Sequence, residues 1–163
     1  MIGFKRILCA TDLSEESFKA FPYVFDLARV FDAEIYFINV VNINAAPTAE
    51  LGFETTYVEF ASAVRKDASR RLEEILSSRA PHDARFRQII VQGSASEQIL
   101  RAVEDHEIDL VVIATHGLTG WRHMVFGSVA EKVVRQSKVP VLTVSAKLAA
   151  PETEMQFAEE VSH

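Results

Sequence analysis

Between Asp109 and Thr115 the chain reads Leu-Val-Val-Ile-Ala, apolar at every position. This run constrains the fold more than any other feature. A strand with one face in water alternates apolar and polar residues, whereas one apolar throughout is covered on both faces. Similar short runs occur at Lys5–Thr11, Glu34–Val41, Arg85–Gln92 and Val139–Val144. Longer segments with apolar residues three or four apart, the helical period, separate them. The order is β-α-β-α-β-α-β-α-β. Strands alternating with helices through right-handed crossovers give an α/β fold: one open, five-stranded parallel sheet with helices on both faces. The strand order expected is 3-2-1-4-5, in a single domain over residues 1–145.

The helical segments carry their own signals. Ser14 is suited to cap the first, with Glu15 and Glu16 in the opening turn, where carboxylates suit the helix dipole. Phe18, Phe21, Phe25 and Ala28 recur on one face, and Pro22 is expected to kink the helix by removing a backbone donor. Residues 42–56 lack a period and hold Pro47 and Gly52, which reads as a long loop. From Tyr57 to Ser78 an apolar stripe runs through Phe60, Ala61, Val64, Ala68, Leu72, Ile75 and Leu76. Ser94 with Glu97, and Ser128 with Glu131, have capping-box spacing. Residues 146–163 read as an acidic, flexible tail with four Glu against one Lys.

Of the 163 residues, 51 are Leu, Ile, Val or Phe, enough to build a core without disulfide or metal. Cys9 is the single cysteine, so no internal disulfide forms, in keeping with a reducing compartment. The apolar run Ile7–Ala10 is too short for a signal peptide. The longest uncharged stretch, Ile35 to Ala49, is broken by asparagines and Pro47 and does not read as a membrane span. A formal charge of −6 argues against non-specific nucleic-acid binding. The expectation is a soluble cytoplasmic protein without membrane or nucleic-acid partners.

In open α/β sheets ligands bind beyond the carboxyl ends of the strands, where strand order reverses. Two segments meet that condition: Ala10-Thr11-Asp12 after strand one, and Ala114 to Ser128 after strand four. Gly117, Gly120 and Gly127 are able to take positive φ and to let backbone amides approach a ligand. Ser128 then opens a helix whose unpaired amides favour phosphate. The plainer alternative is that the glycines turn the chain and Ser128 caps the helix. Neither a Walker loop nor G-x-G-x-x-G is present. His116 and His123 have no third ligand nearby, so no zinc site is expected. Gly93-Ser-Ala-Ser96 lacks the closing glycine of a nucleophile elbow.

Ala114-Thr-His-Gly117, then nine residues, then Gly127-Ser128-Val-Ala-Glu131, and finally Pro140-Val-Leu-Thr-Val144, resemble the universal stress protein family. That family's nucleotide-binding pattern is G-x-x-G, nine residues, G-[ST]. Ile7-Leu-Cys-Ala-Thr-Asp12-Leu-Ser14 and Ile38-Asn-Val-Val41 resemble the family's first strand and turn and its second strand. The resemblance covers residues 4 to about 145 and implies a Rossmann-like fold. It also implies ATP, with or without Mg2+, at the switch point. Ala10, Thr11, Asp12 and Val40 would then lie against adenine and ribose. Ala114, Gly117, Gly127, Ser128 and Val129 would hold ribose and phosphates, and Ile113 would be a further cofactor-binding residue. It further implies a homodimer joined through Val139–Val144.

The sequence departs from the pattern at Ala114, where the family has glycine, and at Leu118, where many relatives are basic. If position 114 needed positive φ, its Cβ would cost about 1–2 kcal/mol; if glycine served only closeness, a methyl is tolerated. No general base or Walker lysine is evident, so no catalytic residue is assigned and slow ATP hydrolysis is the most expected. Two readings follow: an ATP-binding regulatory protein of the stress response, or a dimeric interaction module that binds no nucleotide.

Overall fold

A computed structural model describes residues 3–43, 54–115 and 127–145. The strands are β1 (Arg6–Ala10), β2 (Glu34–Val41), β3 (Phe86–Gln92), β4 (Leu110–Ala114) and β5 (Val141–Val144). Helices are α1 (Glu15–Phe18), α2 (Phe21–Phe31), α3 (Glu54–Arg79), α4 (Ala95–Asp105) and α5 (Ser128–Gln136). The sheet is parallel throughout, in the order β3-β2-β1-β4-β5. Strand order therefore reverses between β1 and β4, where Cys9 pairs with Val112 and Ala10 with Ile113.

The period-two geometry of a strand splits the core into two layers. Ile7, Cys9, Ile35, Phe37, Leu110 and Val112 face Phe18, Phe21 and Phe25 of α1 and α2 and Leu72 and Leu76 of α3. Their neighbours Leu8, Ala10, Tyr36, Ile38, Val111 and Ile113 face Ile99, Ala102 and Val103 of α4 and Ala130 and Val133 of α5. Both faces of β4 are thus covered, which is what its unbroken apolar run required. Phe21 centres the first layer, with ring centroids 4.8 Å from Phe37 and 5.2 Å from Phe18.

Local expectations needed amendment in four places. Pro22 does not kink a continuous helix: α1 ends at Phe18 and α2 starts afresh at Phe21. Pro22 then sits in the first turn of α2, where a missing N–H costs nothing. The helix expected from Tyr57 begins at Glu54, and although Ala61, Ala68, Leu72 and Leu76 are buried, Tyr57 and Phe60 are 37% and 44% exposed. At 26 residues, roughly 39 Å, α3 outruns the strand beneath it. Tyr57 lies level with the end of the sheet, its hydroxyl accepting a 2.8 Å hydrogen bond from Gln92, the last residue of β3. Ser94 occupies the cap position of α4, but its exposed hydroxyl makes no capping bond. The edge strand is shorter than expected: Pro140 precedes β5 and its carbonyl accepts the Val111 amide.

Candidate functional site

At the carboxyl ends of β1 and β4 lies a cavity of about 490 Å³. Ala10, Thr11 and Asp12 form one side, Val40 comes from β2, and Ile113 and Ala114 come from β4. Gly127, Ser128 and Val129 close it from the start of α5. Every site residue expected from sequence therefore lines this cavity except Gly117, which lies outside the described residues. A second depression, about 180 Å³, lies at the opposite end of the sheet beside Asp32 and Arg85.

The β1–α1 turn is held by its own side chains. The Leu13 amide donates to Thr11 Oγ1 at 3.1 Å, and the Ser14 amide to Asp12 Oδ1 at 3.1 Å. Ser14 Oγ also donates to Asp12 Oδ1 and accepts the Ser17 amide at 3.2 Å, so one serine caps α1 and orients the Asp12 carboxylate. Leu13 has φ of 62°, a left-handed conformation that a branched side chain resists. These bonds offset that strain and turn the chain sharply after Asp12.

Beyond Ala10, β1 stops pairing while β2 continues. The last rung is Ala10 with Ile38, extended by the Thr11 amide donating to the Ile38 carbonyl at 3.0 Å. Asn39 to Val41 overhang β1. Asn39, 5% exposed, turns its Nδ2 back to the Thr11 carbonyl at 2.9 Å and secures the junction. Val40 stands half-buried at the cavity wall.

On the other side, the chain leaves β4 at Thr115 and returns at Gly127. The Gly127 amide donates to the Thr115 carbonyl at 2.6 Å. Gly127, not Ser128, is the N-cap of α5, and its φ is −70°, so positive φ is not why glycine stands there. The reason is closeness: a Cβ on Gly127 would lie 2.8 Å from the Thr115 carbonyl oxygen. Ala114 is ordinary strand, 8% exposed and paired with Val144, so its methyl is accommodated without strain. Leu118, the other departure, lies outside the described residues.

Two helix starts, α5 through Ser128 to Ala130 and α4 through Ala95, border the cavity, and neither is capped by a described side chain. Their first amides and positive dipole ends favour an anion. Most of the remaining wall is aliphatic: Ala10, Ile38, Val40, Ile99 and Ile113. Among the described residues, Asp12 is the one charged side chain on it. The cavity pairs an apolar slot and a carboxylate with an amide-rich rim. No cluster of three or more His, Cys, Asp or Glu suited to a metal occurs among the described residues.

Sequence reasoning overlooked Ser17, Asn39 and Thr115. Asn39 carried a signal, a lone amide in an otherwise apolar run. Ser17 and Thr115 carried none, because their roles arise from a helix start and a returning loop. Cys9 is fully buried at mid-strand, and burial pushes its thiol pKa far up, in keeping with an inert core residue. No helix of the described residues is long and apolar enough to cross a membrane.

Comparison with known proteins agrees with this architecture. The chain is 28% identical over 141 residues to universal stress protein MJ0531 of Methanocaldococcus jannaschii, covering 86% of this chain and 82% of that one. Universal stress protein MJ0577 of the same organism is 26% identical over 158 residues, covering 90% and 98%. The solved structure of MJ0577 superposes with a TM-score of 0.75 at 27% identity, covering 91% of this chain and all of that one. A universal stress protein solved in complex with cAMP shares the fold, with a TM-score of 0.59 at 20% identity over 89% of this chain and 99% of that one. The universal stress protein family model matches residues 3–145, all five strands and every described wall of the cavity, and the chain belongs to that family.

Proposed function

We propose that this universal stress protein is a small cytoplasmic regulatory protein that binds ATP, or its magnesium complex, at the switch-point cavity. The observation that carries the reading is the convergence of both sequence motifs on one cavity of about 490 Å³. That volume falls within the usual range for small-molecule sites, about 300–1,000 Å³. The aliphatic slot of Ala10, Val40 and Ile113 suits a flat base, and the main-chain edge of the β2 overhang supplies polar groups beside it. Asp12 would repel phosphate and suits the nucleoside end, accepting from hydroxyl or amino groups. The start of α5 at Gly127, Ser128 and Val129, where no described side chain caps the helix, suits the phosphates. A cAMP complex in a protein of the same fold supports an adenine nucleotide as the ligand class.

Nucleotide-stripped protein titrated with ATP and magnesium in a calorimeter tests this. Binding in the micromolar range or tighter, with adenine preferred over guanine, is the expected result. Absence of heat, together with absence of nucleotide in protein purified without stripping, would leave the interaction-module reading in its place.

A further inference from the structure

We propose that Ser17 is a positioning residue that turns one corner of the cavity into a hydrogen-bond acceptor and so selects ligands that present donors there. The inference rests on the nucleotide reading above and adds what that site discriminates. Ser17 and Thr11 both line the cavity, and both are nearly buried, at 4% and 6% exposure. Their hydroxyl oxygens are 2.7 Å apart.

The proton positions follow from counting. A serine hydroxyl has one proton. Ser17 Oγ lies 2.8 Å from the Ser14 carbonyl oxygen, which only accepts, so the Ser17 proton is committed to it. The short contact between the two hydroxyls must then be donated by Thr11. Thr11 Oγ1 accepts the Leu13 amide in return, and the Thr11 carbonyl accepts from Asn39. Neither hydroxyl keeps a proton for a ligand; each keeps one acceptor lone pair. Asp12, adjacent on the wall, is likewise an acceptor when ionised.

A corner of this kind favours ribose hydroxyls or an exocyclic amino group and disfavours a ligand that lacks the donor, because the buried acceptors stay unpaired. Ser17 acts through Thr11. Without the Ser17 oxygen, the Thr11 hydroxyl is free to swing its proton toward the cavity, and the corner loses its single polarity.

The full-length, nucleotide-free chain is titrated with ATP, 2′-deoxy-ATP, 3′-deoxy-ATP and purine riboside triphosphate, which lacks the amino group. In the wild type, at least one analogue is expected to bind on the order of tenfold more weakly than ATP, and which one identifies the donor. In Ser17→Ala that ratio falls toward one, and in Ser17→Thr, which keeps the oxygen, it is retained. The ratio, unlike the affinity, is not moved by a general loosening of the turn. Should Ser17→Ala fail to fold, Thr11→Val carries the same readout. A wild type that binds ATP and all three analogues equally, or a Ser17→Ala protein that keeps the full ratio, overturns the proposal. A wild type that binds none of the four overturns the nucleotide reading and this inference with it.

Discussion

Gly127 shows how one residue couples the sheet to the site. Because its missing side chain is what lets α5 begin against the Thr115 carbonyl, even a methyl must push the backbone, since the contacting atom at 2.8 Å is main chain. Gly127→Ala is therefore expected to lower the melting temperature and to weaken ATP binding about tenfold or more. Calorimetry beside a thermal melt checks both, and a variant unchanged in both would separate Gly127 from the site. Phe21 lies at the other extreme, outside the cavity wall and 1% exposed among three other phenylalanine rings. Phe21→Ala is expected to cost about 3–5 kcal/mol in chemical denaturation, with ATP affinity unchanged in the folded fraction. Cys9 should resist thiol reagents in the native protein at pH 8, because burial holds it protonated, and react once denatured.

At the scale of elements, much was legible in advance because the signals are local. Apolar runs placed all five strands to within a few residues, and Ser14 marked the start of α1, where it does cap the Ser17 amide. What was not legible depends on partners distant in sequence. Spacing cannot tell that Pro22 opens a new helix, because the break depends on how α1 packs across the sheet. The Ser128 cap was misassigned because the Gly127 turn is set by Thr115, twelve residues earlier. Tyr57 and Phe60 read as core because periodicity shows a helix face but not where its sheet ends. Between β2 and β3, Glu34 is held by Arg87 at 2.7 Å and by the Tyr36 hydroxyl at 2.8 Å, and these bonds lower its pKa. A carboxylate with a lowered folded pKa stabilises the protein above its ordinary value of about 4.3. That contribution is lost as pH falls through the lowered one. Glu34→Gln should therefore melt below the wild type at pH 7 and converge with it in strong acid. Thermal melts at the two pH values decide the point, and a gap that persists in acid would assign the effect to packing.

For the whole molecule, the sheet leaves two edges, β3 and β5, and they differ. β3 carries Arg87, Gln88 and Gln92 and has α3 beside it, whereas β5 is four residues of Val-Leu-Thr-Val. Leu142 is 37% exposed on β5, and Val134 is 43% exposed on α5. A short apolar edge next to an exposed aliphatic helix residue invites pairing with a second copy. The proposed homodimer would be joined there, with Pro140 placed before the strand, where its missing donor does not interrupt a ladder. The acidic segment 146–163 lies outside the described residues, and its composition predicts that removing it leaves melting temperature and ATP affinity unchanged. For the dimer, Leu142→Lys places a charge at the centre of the proposed seam: Leu142 shares the sheet face of Val144 but is 37% exposed where Val144 is 3%. Light scattering at tens of micromolar should give twice the chain mass for the wild type and the single-chain mass for the variant. Circular dichroism should be the same for both. A wild type of single-chain mass would remove the dimer altogether. A dimeric variant would move the seam away from β5, and the other edge of the sheet would be the next place to look.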